Sequence, residues 1–144
     1  MVKRIGLGVV AYLVPTFLLG FVWHLVLFKQ YYDRLAIYRA DVIIPFGLLS
    51  MTIQAVWFAW VYERCFARSD TTPMLRMSTY AAFGAALSWS FSTIAVAAKN
   101  VMSSVPDYLW IETGYTIAQW LIVAPLTVFA FHRQAHMPPA TARV

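Results

Sequence analysis

Charged side chains are scarce in this sequence. Asp, Glu, Lys and Arg make up 12% of its 144 residues, against about 25% in an ordinary soluble domain. Acidic residues are the rarer sign, six against eleven basic ones, for a formal net charge of +5. Cysteine is nearly absent as well. Cys65 stands alone, so no intrachain disulfide forms and the redox compartment is left open; an unmodified thiol is expected there. There is no glycine-rich phosphate loop, no nucleophile elbow and no paired metal-ligand motif. These absences disfavour an enzyme: no catalytic residue stands out, and no cofactor or metal is expected. The basic residues also lack clustering. They sit at segment ends without forming a run or patch, as membrane flanks do, which excludes nucleic acid as a partner.

What the chain has instead is apolar surface. Hydrophobic residues reach 61% and aromatics 17%, and the mean hydropathy is +0.65. A spanning helix needs roughly 20 apolar residues, and four such stretches with short connections use up nearly the whole sequence. The expected fold is all-α: a single membrane domain over 1–144, an integral membrane bundle of four transmembrane helices. The spans are predicted at about 5–28, 42–62, 77–98 and 108–131, followed by a disordered polar tail over 132–144. Little room remains for a soluble catalytic domain.

Ile5 to Phe28 is uncharged for 24 residues. That is too long for the apolar region of a cleaved signal peptide, and no A-x-A site follows, so a retained first span is expected. Pro15 is placed to kink it, and Gly20, His24 and Phe28 share one face. Tyr31, Tyr32 and Tyr38 in the first connector suit an interfacial belt, and YYDRLAIYR suits a short surface helix. The second span has Pro45 in its first turn and one strongly polar residue, Gln54. SDTTP marks a turn between two helical pairs. In the third span Gly84, Ser88 and Ser92 recur every four residues, the small-xxx-small spacing of a helix-packing face.

The fourth span opens with YLWIETGYTIAQW, Tyr108 to Trp120. It puts a carboxylate and an amide in a lipid-buried helix, where each needs a partner from the protein. Glu112, Thr116 and Gln119 are spaced i, i+4, i+7 and share a face. With His24, Gln54, Lys99 and Asn100 they form the candidate intramembrane polar cluster. Lys99 flanks the same loop as Glu112, His24 lies at a similar depth, and Gln54 falls opposite Gln119. One reading is a polar track for a proton, an ion or a small solute. The other is a set of interhelical hydrogen bonds, about 0.6 kcal/mol each, that fix helix register. The second is favoured, because no continuous charged path reaches the cytoplasmic side.

His24 is read as a neutral histidine donating to a carbonyl or to Glu112, with a haem or metal ligand as the sharper alternative. His132 and His136 have i, i+4 spacing but no third ligand. Glu63 and Arg64 read as a solvated flank. Tyr108 and Trp110 read as interface anchors, while Trp57, Trp89 and Trp120 sit deeper, packed or lipid-facing.

There is a faint internal echo. Trp23 and Trp89, like Asp41 and Asp107, lie 66 residues apart, and Gln54 and Gln119 lie 65 apart. This suits two parallel helical hairpins from an old duplication, or chance similarity among apolar segments. The head, second connector and tail carry seven Lys and Arg, the first and third connectors four. The positive-inside rule then places both termini in the cytoplasm of a cell inner (plasma) membrane.

With GFVWHLVLFKQYY in the first helix and LWIETGYTIAQWLIVAPL in the last, the chain resembles a family of small bacterial membrane proteins, domain of unknown function 1761. That pattern has Gly-x-x-Trp-Tyr in the first helix, and Leu-Trp, an acidic residue and Gly-Tyr in the last. Gly20, Trp23, Leu109, Trp110, Glu112, Gly114 and Tyr115 correspond. His24 departs from the expected aromatic and Glu112 from the expected aspartate. The resemblance implies a four-helix inner-membrane protein and no activity. The function expected is therefore a non-catalytic accessory or assembly subunit, surrounded by membrane lipids. It would act through helix–helix contacts with copies of itself or with a larger membrane complex, using the Gly84–Ser88–Ser92 face. The alternative is a small channel or transporter.

Overall fold

Prolines mark where the later long helices begin. A computed structural model describes residues 2–39 and 41–135. In it α3 (Ile44–Val61) and α4 (Pro73–Ser88) each carry proline at the first or second position, and Pro106 is the second residue of α6 (Val105–Ala135). The missing N–H of proline is no loss in a first turn. Thr72 caps α4, its hydroxyl accepting from the Leu75 amide at 3.3 Å, so this helix starts four residues before the expected position. Asp107 sits in the first turn of α6, at the positive end of the helix dipole.

Three helices end in a widened turn. α1 (Val2–Phe21) runs into a π turn at Val22–Leu27, closed by Phe28 N–H donating to the Trp23 carbonyl at 3.0 Å. α3 runs into one at Tyr62–Phe66. α4 runs into one at Trp89–Ile94, followed by the short α5 (Ala95–Ala97). Such turns insert a residue and re-aim the side chains beyond them. The π turns of α1 and α4 begin at positions 22 and 89, close to the spacing of the Trp23–Trp89 echo.

The described residues are all-helical with no strand, and four helices are long and apolar enough to cross a membrane, as expected. Three details differ from the sequence reading. α6 continues to Ala135, so the first residues of the expected tail are helical; 136–144, with His136, lie outside the described residues. α2 (Lys29–Leu35) ends on Ala36, which takes the left-handed conformation at φ 55°. It tucks Tyr32 and Leu35 against Tyr108 rather than offering all its tyrosines to an interface. Tyr108 is itself buried, donating to the Ser92 carbonyl at 3.0 Å, and is no interface anchor.

Packing runs α3 on α1, α1 on α6, and α6 on α4. Tyr12, Phe58, Tyr62, Tyr80, Trp120 and Phe131 form the aromatic core. Gly84 is what admits Trp120: a Cβ there would run into the indole ring, and the indole N–H donates to Ser88 Oγ at 3.1 Å. Gly84 and Ser88 of the expected small-residue face are thus occupied within the chain, while Ser92, in the π turn that follows, is exposed. α3 and α4 are consecutive, yet they approach only near their connector, where Tyr80 Oη donates to the Phe58 carbonyl at 3.3 Å. Trp120 stands between them, with its ring centroid 4.8 Å from Phe58 and 5.4 Å from Tyr80. Past the indole the two helices are not packed, and a cleft opens.

Candidate functional site

Gly8, Tyr12, Thr16, Gly20 and His24 follow one another at intervals of four along α1 and its π turn. Four-residue spacing keeps side chains on one face, and this face meets α6. The glycines allow the approach. A Cβ at Gly8 would lie 2.5 Å from the Phe131 ring, and one at Gly20 would lie 3.2 Å from the Tyr115 hydroxyl. Between and beyond them the stripe supplies the polar partners that Glu112 and Gln119 require.

At one end of the bundle Glu112 is 6% exposed. Its Oε1 accepts from the Tyr32 phenol at 2.7 Å and lies 3.3 Å from His24 Nε2. His24 Nδ1 lies 2.9 Å from the Gly20 carbonyl, which can only accept, so Nδ1 carries a proton. The contact between Nε2 and Oε1 ties the π turn of α1 to α6. Tyr32 lies outside the spanning segments. Burial, reinforced by the nearby Glu112 charge, pushes its phenol well above the usual tyrosine range, so it remains a donor. Tyr38 stacks on Tyr32 at 5.2 Å and is shifted up by burial in the same way.

About 10 Å further along α6, at 1.5 Å per residue, Gln119 is 5% exposed. Its Nε2 lies 3.3 Å from both Tyr12 Oη and Thr16 Oγ1. Tyr12 donates onward to Gln54 Oε1 at 3.0 Å, and Gln54 Nε2 donates to Ser50 at 3.1 Å. Both glutamines therefore meet at Tyr12, and Thr116 is buried on the α6 face between the two polar groups.

Two expected members lie elsewhere. Lys99 and Asn100 are exposed at the end of the third span; Lys99 makes no ion pair with Glu112, and among the described residues Asn100 donates to the Val96 carbonyl alone, at 3.0 Å. The turn and loop between the helices carry Lys99 away from the carboxylate that His24 and Tyr32 already occupy. Glu63 is not a solvated flank either. It is 3% exposed and 3.5 Å from Arg4, because the second π turn rotates it back under α1. Residues that sequence reasoning missed are Tyr12, Thr16 and Tyr32. The four-residue stripe through Gly8 and Gly20 was a signal for the first two. Nothing in the sequence pointed Tyr32 inward.

The cleft between α3 and α4 has a volume of about 620 Å³. α1 and α6 form its floor through Thr16, Tyr115 and Gln119, and its walls carry Ser50 and Gln54 on one side and Ser88 on the other. None of its lining residues is Asp, Glu, Lys, Arg or His. The rim is apolar, with Phe91 74% exposed. The Tyr115 ring also packs edge-on to His24 at 4.7 Å, so the cleft floor adjoins the Glu112 group.

No family model, curated protein or solved structure matches the chain.

Proposed function

We propose that the protein is a non-catalytic accessory subunit of a bacterial inner membrane, with both termini cytoplasmic, that works by receiving an occupant in the seam between α3 and α4. One observation carries this reading: three neighbouring helix pairs are packed, whereas the fourth stands apart over a cleft of about 620 Å³. Helix association in lipid is driven by packing and hydrogen bonds. A chain selected only for stability would close its last seam. Trp120 already occupies Gly84 and Ser88 of the expected helix-packing face, whereas Ser92 lines this cleft.

The polar groups favour a structural role over conduction. Glu112 and Gln119 each bond to α1 in separate layers, which suits clasps that set register. The proposal extends to membership of the family of domain of unknown function 1761. Its two motif segments meet in this fold: Gly20 faces the Tyr115 hydroxyl, and Gly114 faces the Trp23 ring.

A photo-crosslinking side chain at Phe91, on the cleft rim, tests the seam in living cells. Leu121 of α6, 70% exposed and outside the cleft lining, is the control. Irradiation should give a discrete adduct from position 91 alone, and Gly47→Trp should remove it by filling the cleft. Indistinguishable labelling from both positions would end the proposal.

A further inference from the structure

We infer that the occupant of the α3–α4 cleft is an uncharged single-chain amphiphile, with an acyl or isoprenoid chain and a hydroxyl or carbonyl head held by Tyr115 and Gln119. This rests on the seam being a receiving site and names what it receives.

Shape argues for a chain. The lining runs from Gly47 to Val61 along α3, about 21 Å at 1.5 Å per residue. Over that length a volume of about 620 Å³ describes an elongated groove rather than a rounded chamber. A single extended chain follows such a groove along α3. The volume also falls within the roughly 300–1,000 Å³ of small-ligand sites.

Chemistry argues for a neutral head. Gln119 is 5% exposed and lines the cleft. Its Nε2 is engaged by Tyr12 and Thr16, which leaves Oε1 as an acceptor with no hydrogen bond among the described residues. The Tyr115 hydroxyl, which lies beside Gly20, likewise has no hydrogen-bond partner among them, and the residue lines the cleft. The two residues are i, i+4 on α6 and so share the face that floors the cleft. One offers a proton and the other accepts one, as a hydroxyl head needs; a carbonyl would use Tyr115 alone. Gln119 also falls at the middle of the span Val105–His132. A charged head at that depth would be strongly disfavoured in hydrocarbon, and no lining residue carries a countercharge.

The test uses the full chain in mild non-ionic detergent and native mass spectrometry with three probes. Monooleoylglycerol has the acyl chain and a neutral hydroxyl head, phytol has an isoprenoid chain and a hydroxyl, and 1-oleoyl-lysophosphatidylglycerol has the same acyl chain with an anionic head. At least one neutral probe should bind saturably at one per chain, at least tenfold tighter than the anionic one; the tighter neutral probe identifies the chain class. Gln119→Leu should weaken that binding about tenfold, and Gly47→Trp should abolish it. Gly47→Leu is the second filler, should the larger side chain disturb folding; an unchanged melting temperature qualifies either variant. Equal binding of neutral and anionic probes, or binding unaffected by a folded filler variant, overturns the inference. If the Phe91 crosslinker instead captures a polypeptide and neither neutral probe binds, the seam remains a receiving site and the amphiphile is wrong. If nothing is captured and nothing binds, both readings fall.

Discussion

The seams α1–α6 and α3–α4 are counterparts: exchanging the two hairpins, α1 with α3 for α4 with α6, maps one onto the other. One is closed and the other open. In the closed seam Gly8 and Gly20 let the backbone approach Phe131 and Tyr115. Tyr12, Thr16 and His24 then bond across to Gln119 and Glu112. The open seam has equally small residues, Gly47 and Ser50 on one wall and Ser88 on the other. Their polar partners, however, are turned elsewhere. Gln54 faces Tyr12 of α1, and Ser88 accepts from Trp120 of α6. Small residues permit close approach without enforcing it; the cross-seam hydrogen bonds and a filled core do that.

The comparison can be broken most severely at the residue that props the seams apart. Trp120→Ala removes a fully buried indole from between α3 and α4, and we expect a loss of about 3 kcal/mol. Steric-trap unfolding in bicelles would measure it, and a loss below that of a peripheral tryptophan such as Trp110 would deny Trp120 this role. Next comes a matched glycine pair. Gly8→Leu overpacks the closed seam against Phe131, for about 2 kcal/mol. Gly47→Leu enters a space with nothing within 4 Å and should be neutral or slightly stabilising, since glycine is a poor helix former. Equal penalties at the two sites would mean that the seams do not differ.

His24→Phe introduces the aromatic expected from the resemblance and leaves Glu112 with Tyr32 as its one hydrogen-bond partner among the described residues. A loss of about 2 kcal/mol is expected for a buried group hydrogen-bonded to a charge. Glu112→Gln keeps the acceptor oxygen that Tyr32 bonds and should lose less than half as much, so the reverse order would sink the clasp. The smallest effects belong to the midplane amides. Gln54→Leu and Gln119→Leu should each cost about 0.6 kcal/mol. Because both bond Tyr12, the double variant should be non-additive, which a double-mutant cycle with Tyr12→Phe would read out.

Much of this was legible before the fold was known. Apolar runs of spanning length located four helices, and Glu112 and Gln119 on one helical face announced groups in need of partners. Proline and Thr72 sharpen the helix starts by rules that are local. What stayed hidden depended on direction. Lys99 was a candidate partner of Glu112 by sequence proximity, beside His24; the last connector leaves Lys99 exposed, and α2, in the first connector, turns Tyr32 inward. Glu63 read as a flank because nothing local announces a π turn that rotates it under Arg4. The Gly84–Ser88–Ser92 spacing marked a packing face but not its partner; Trp120 of the same chain takes Gly84 and Ser88 and leaves Ser92 on the cleft.

By itself the sequence determined the solvent and the element type. With 12% charge and 61% apolar residues, only helices that bond their own backbone, or a closed barrel, are tolerated in lipid, and the run lengths select helices. It also determined that a carboxylate and two amides need partners inside the bundle. Only the tertiary structure decided which partners those are and which seam closes. Helix rotation is set by packing between neighbours, and an all-apolar helix records almost none of that in its periodicity. The π turns, the glycine contacts and the hydrogen bonds converging on Tyr12 settle it instead, joining α1 to α6 and leaving α3 apart from α4.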